Sequence, residues 1–143
     1  MALDAPRVGA SETGTSEIGA SETGAPEIGP ELDPAVVADL RRIFDSAQFD
    51  SFLADALDDI PQRVVRLTNQ LAAEDLPAAT QEAHDLVSLI GNLGGRRASA
   101  AARLVEQTCR GGDQATALAR CHEFAIATAA AMAELAAQRQ FVG

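Results

Sequence analysis

The chain has 143 residues, room for one domain and some tail, with 21 acidic residues against 11 basic ones for a formal charge of −10. Every basic residue is arginine. That balance argues against nucleic acid, which needs a cationic face, and against anionic membrane surfaces. Base stacking is poorly served too, with no Trp, no Tyr and 5 Phe. No apolar run approaches the roughly 20 residues of a membrane span, and the N-terminus has neither the basic start nor the apolar stretch of a signal peptide. The expectation is a soluble, cytoplasmic protein, with a monomer as the default.

Residues 10–19 read Ala-Ser-Glu-Thr-Gly-Thr-Ser-Glu-Ile-Gly, and residues 20–29 repeat them with changes only at positions 25 and 26. Units of this composition bury too little apolar surface to offset chain entropy. Residues 1–33 therefore read as a disordered acidic tail, and residues 34–143 as the folded domain.

From Asp33 onward the pattern is helical. Asp33-Pro34 is an N-cap with Pro at the first helical position, opening a short helix to about Phe44. Ser46 or Asp45 caps a long second helix with the apolar stripe Phe49, Leu53, Ala56, Ile60, Val64, Leu67 and Leu71. Pro61 inside it predicts a kink or a break. Asp75-Leu76-Pro77 opens a third helix with Ala79, Ala83, Leu86, Ile90 and Leu93 inward, ending at Gly94-Gly95. A fourth helix spans about 97–110 and stops at Gly111-Gly112. Asp113 caps the fifth, whose stripe is Leu118, Cys121, Ala125, Thr128, Met132 and Leu135. Connections of two to four residues make neighbouring helices antiparallel. The fold expected is all-α, an up-down antiparallel four-helix bundle with a short leading N-terminal helix. Cys109 and Cys121 then sit about 9 Å apart along the axis, beyond the roughly 7 Å a disulfide spans, so they are expected to be free thiols.

Chemistry-bearing residues are few. His122 is expected at a rim or half-buried. His84 directly follows the inward Ala83 and flanks the apolar stripe. Its same-face neighbours are Thr80, Gln81, Val87, Ser88 and Gly91, small or polar apart from Val87. The imidazole should stand in water above low relief, which suits a nucleophile that must meet another protein's active site.

The stretch Ala83-His84-Asp85-Leu86-Val87-Ser88-Leu89-Ile90-Gly91-Asn92-Leu93-Gly94 resembles the signature of histidine-containing phosphotransfer (HPt) domains. Ala83, His84, Leu86, Leu93 and Gly94 match that signature, and Asn92 is a common choice in it. The resemblance extends over the helical frame from about residue 34 to 138. Two positions depart: Val87 stands where the family has Lys, and Ser88 where it has Gly. The resemblance implies a phosphoryl carrier rather than an enzyme in its own right. His84 would be the phosphoacceptor, with Gln81, Val87, Ser88 and Gly91 forming the docking and phosphoryl environment. Its partners would be a response-regulator receiver domain, a hybrid sensor kinase, or both. No cofactor is implied for this chain; Mg²⁺ belongs to the partner receiver.

With Lys absent, Arg63 and Arg66 on the preceding helix are candidates to reach the phosphoryl group, and Gln81 to donate to it. Val87 is the candidate for exposed docking area, and Leu89 for a seam against a neighbouring helix. Two rival readings remain. One is a degenerate HPt bundle that binds a receiver or kinase without phosphotransfer, and the other is a plain helical bundle. A metal site is weaker still, because the two histidines lack the Glu-x-x-His pairing of bundle metal centres.

Overall fold

The computed structural model describes residues 28–140, the last of these by its backbone alone. The expected disordered tail falls outside the described residues as far as residue 27. Five helices follow in chain order: α1 (Pro34–Ile43), α2 (Ser46–Ala72), α3 (Leu76–Gly91), α4 (Arg96–Arg110) and α5 (Gln114–Gln140). Each long helix packs on its neighbour in the chain, and α5 closes the ring against α2. This is an all-α up-down four-helix bundle with a short leading helix.

An aspartate side chain starts every helix except α4, whose N-cap is Gly95 and makes no side-chain cap bond. The Asp33 carboxylate accepts the Ala35 N–H at 3.0 Å, with Pro34 in the first turn. Asp45, rather than Ser46, caps α2 through a reciprocal capping box with Gln48. Asp75 accepts the Ala78 N–H at 3.2 Å, and Asp113 the Thr116 N–H at 3.1 Å. Helix α3 ends at Gly91, slightly before the expected Gly94-Gly95 stop.

Helix α2 runs unbroken through Pro61, so the break offered as one outcome does not occur. Proline removes the N–H that would pair with the Leu57 carbonyl. Burial of Leu53, Ile60, Leu67 and Leu71 on the same helix holds both halves in one element.

The core is built from Phe49, Leu53, Ile60, Leu67, Leu71, Leu86, Ile90, Val105, Phe124 and Leu135 among larger side chains, with alanines between them. Alanine on α3, α4 and α5 lets those helices approach closely. On α5 the expected stripe is partly displaced. Ala117 and Phe124 are buried, while Leu118 and Ala125 are only half-buried. A helix so rich in alanine has little contrast between its faces, and the largest side chain, Phe124, turns inward with Leu135.

The boundary expected at residue 33 is corrected by the structure. Leu32 is 1% exposed and Glu31 is 6% exposed. The Glu134 carboxylate on α5 accepts the backbone N–H groups of Glu31 and Leu32 at 3.0–3.1 Å. Asp33 donates its N–H to the Gly94 carbonyl at 2.7 Å. Gly94 has φ +88°, and a Cβ there would stand 3.2 Å from the Asp33 nitrogen. Residues 28–33 are thus a strap laid over the end of the bundle. A Leu32→Ala variant should lose about 2–5 kcal/mol in chemical denaturation, as for other buried leucines. Residues 28–33 are free tail instead if the variant unfolds as wild type does.

Candidate functional site

Helix α3 sits between α2 and α4 and presents different chemistry to each. Toward α2 it offers Glu82, whose side chain is 7% exposed and held by two arginines. Arg63 donates to one carboxylate oxygen and Arg66 to the other, each at 3.0 Å. Arg63 also bonds Asp59 at 2.8 Å. This cluster locks α2 to α3.

His84 lies two positions further on, about 200° round the helix, and faces α4. Its side chain is 56% exposed. Nδ1 lies 3.0 Å from Oε2 of Glu106 on α4. That carboxylate is itself nearly buried, with its side chain 10% exposed. Arg110, one turn further along α4, donates to the same oxygen from Nη2 at 2.7 Å and from Nε at 3.2 Å. The second ring nitrogen, Nε2, has no hydrogen-bond partner among the described residues.

The electrostatics follow from these contacts. Hydrogen bonding to Arg110 is the largest influence on the Glu106 carboxyl, and the contact with His84 adds to it. Together they outweigh burial and hold Glu106 below the ordinary carboxylate range. An ionised Glu106 can only accept, so the ring's proton sits on Nδ1 and the Nε2 lone pair points outward. The carboxylate is held by α4 and the His84 backbone by α3, which limits ring rotation as well.

The other expected site residues distribute around this core. Gln81 and Ser88 are exposed, whereas Val87, expected as exposed docking area, is half-buried and packs against the core. The amide of Gln81 donates to Asp85 at 2.9 Å. Gly91 lies against α4, since a Cβ there would stand 3.3 Å from Oγ of Ser99. The Ser99 hydroxyl donates to the Val87 carbonyl at 2.8 Å. Leu89 lines an apolar groove with Phe52, Ala56 and Leu93, on the α2 side as expected for a seam residue. His122, expected at a rim or half-buried, is exposed on α5.

The expectation for the two arginines of α2 is corrected. Arg63 and Arg66 are engaged by Glu82 on the opposite flank of α3 and do not stand beside His84. Glu106 and Arg110, which no sequence argument singled out, are the groups that touch or flank the imidazole. A signal for Glu106 existed: it is an acid on the inward stripe of α4, with Ala102 one turn before and Cys109 one turn after, both buried. A carboxylate in such a place must be paired.

Cys109 and Cys121 are free and buried. Burial pushes both thiols above their ordinary range, and Thr68 Oγ1 lies 3.6 Å from the Cys121 sulfur. No group of His, Cys, Asp and Glu suited to a metal ion occurs among the described residues. No described helix is long and apolar enough to cross a membrane.

The lowered Glu106 carboxyl makes a pH-dependent contribution to stability. A folded-state value below the unfolded one stabilises the fold above the unfolded value, and that gain is lost as the pH falls through the folded one. The unfolding free energy of wild type minus that of Glu106→Gln should therefore shrink between about pH 7 and about pH 3. A difference that stays constant over that range would contradict an ionised, hydrogen-bonded Glu106.

Comparison with known proteins bears on the fold and the family. The family model described as Hpt domain matches residues 51–138, which include His84, Glu106 and Arg110. Among solved structures, histidine-containing phosphotransfer protein B (HptB) from Pseudomonas aeruginosa PAO1 superposes with a TM-score of 0.74. It is 23% identical, and the match covers 78% of this chain and 96% of that one, a likeness of fold. No curated protein sequence matches. With a family model spanning well over half its length, the chain belongs to the Hpt domain family.

Proposed function

We propose that the protein is a phosphorelay carrier in two-component signalling. His84 accepts a phosphoryl group from the aspartate of a receiver domain, or from a kinase, and passes it to another receiver. The observation that carries this reading is the pairing of an exposed imidazole with a buried carboxylate on Nδ1. Exposure lets a partner's active site close over the ring. The carboxylate fixes the tautomer that leaves Nε2 as the nucleophile.

In the transfer, the Nε2 lone pair attacks phosphorus in line and forms the N–P bond. The acyl P–O bond breaks, and the partner's aspartate leaves as a carboxylate with the bonding electrons. The ring keeps its Nδ1 proton and gains positive charge, which Glu106 stabilises at hydrogen-bond distance. No base has to remove a proton, because neutral imidazole already carries the attacking pair. Transfer in the opposite direction retraces these steps onto the next receiver. The partner supplies Mg²⁺ and most of the positioning. The chain is then a carrier and not an enzyme by itself, acting as a cytoplasmic monomer.

Gln81, Val87 and Ser88 line the approach to His84 and form the docking rim. Val87 is the one residue that favours the competing reading, a bundle that docks without accepting phosphate.

The test mixes wild type and His84→Gln separately with phosphorylated receiver domains from the same cell. The carrier reading expects acid-labile label on wild type, background label on the variant and receiver binding by both. Binding without label on either protein would replace it with the docking-only reading. Neither binding nor label would leave a plain helical bundle.

A further inference from the structure

A phosphoryl group on His84 would bring close to two negative charges to a surface beside the buried Glu106 carboxylate. Helix α3 offers no cation to meet them: Thr80, Gln81, Val87, Ser88 and Gly91 surround the ring. The nearest positive charges lie on α4.

Two contacts set the register between these antiparallel helices. His84 faces Glu106, and Gly91 faces Ser99. Each pair is separated from the other by seven residues on both helices. Position 87 therefore lies level with position 103, which is Arg103. Ser99, Arg103, Glu106 and Arg110 fall at steps of four, three and four, a single stripe along α4. Arg103 precedes Glu106 by one turn and Arg110 follows it by one turn. Arg103 is exposed and has no ion-pair or hydrogen-bond partner among the described residues. Arg110 is 61% exposed and bonds the same carboxylate oxygen that holds the ring. Its guanidinium thus stands at most two hydrogen-bond lengths from Nδ1.

We propose that Arg103 and Arg110 are phosphoryl-positioning residues, a cationic pair on α4 that neutralises the phosphoryl group carried by His84. The inference rests on the carrier reading above. Arg103 approaches from the side of Val87 with an uncommitted guanidinium. Arg110 turns from the single charge of Glu106 toward the larger charge of the phosphoryl oxygens, for which its planar fork is suited. Glu106 keeps its bond to the Nδ1 proton throughout. The arrangement makes the phosphorylated state more favourable without placing a cation on α3. Before phosphorylation, Arg110 holds Glu106 in its ionised form.

The experiment uses phosphoramidate as the phosphoryl donor, so that no partner docking enters. Nε2 attacks phosphorus, the donor's P–N bond breaks, and ammonia leaves with the electron pair. Acid-labile label at equilibrium is measured on wild type, His84→Gln, the double variant Arg103→Gln/Arg110→Gln, and that double variant with Val87→Lys. Circular dichroism on each confirms the helical fold, which exposed arginines should leave unchanged.

The proposal expects the phosphorylated fraction relative to free protein to fall about tenfold in the double variant, the scale of one charge-assisted hydrogen bond. Lysine at position 87 should restore most of it, since a cation there faces the same phosphoryl group. Label on the double variant equal to wild type would overturn the proposal and leave the carrier reading standing. Label that falls but is not restored by lysine would also overturn it, because the arginines would then act only by bracing Glu106. Absence of label on wild type would remove the carrier reading and this inference together.

Discussion

A buried carboxylate that touches an exposed imidazole is the constraint around which this molecule is arranged. Glu106 is placed by α4 on a face otherwise made of small apolar residues, where an unpaired charge is costly. Arg110 covers it from the same helix and His84 from the neighbouring one. The close approach of α3 and α4 at Gly91 and Ser99 keeps the ring within reach of that oxygen. The inner ring nitrogen is satisfied by the protein, and the outer one stands exposed.

The second buried carboxylate makes the contrast plain. Glu82 also sits on a helix face turned inward, and it also bridges two helices. Its two oxygens are each taken by an arginine, so the cluster is closed and serves only to join α2 to α3. At Glu106 one of the two partners is an imidazole instead of a guanidinium. Arginine has no spare lone pair, whereas a histidine held at Nδ1 has one at Nε2. With histidine in place of one arginine-type partner, the interhelical contact keeps an outward ring nitrogen whose direction the carboxylate fixes.

Much of this was legible in the sequence because it is local. Asp33, Asp45, Asp75 and Asp113 read as caps from a few residues of context, and each caps in the structure. His84 stood out because its helical neighbours are small and polar. The groups that orient it were harder to see, since the contact joins residues 22 apart across two helices. Arg63 and Arg66 are misplaced by spacing alone, because the side of α3 they face depends on a rotation that spacing does not define. Leu32 read as tail because low-complexity sequence precedes it, yet one buried leucine and the Glu134 carboxylate tie that segment to the bundle. On α5, alanine on every face hid the importance of Phe124.

The central claim is that Glu106 holds the proton on Nδ1 and leaves Nε2 as the reacting atom. Nitrogen-15 NMR of the histidine rings tests it most directly, recorded on the free protein and after phosphorylation. The account predicts the Nδ1–H tautomer for neutral His84 and a phosphorus coupling at Nε2 once the group is attached. An Nε2–H tautomer in the free protein, or phosphorus bound at Nδ1, would contradict it.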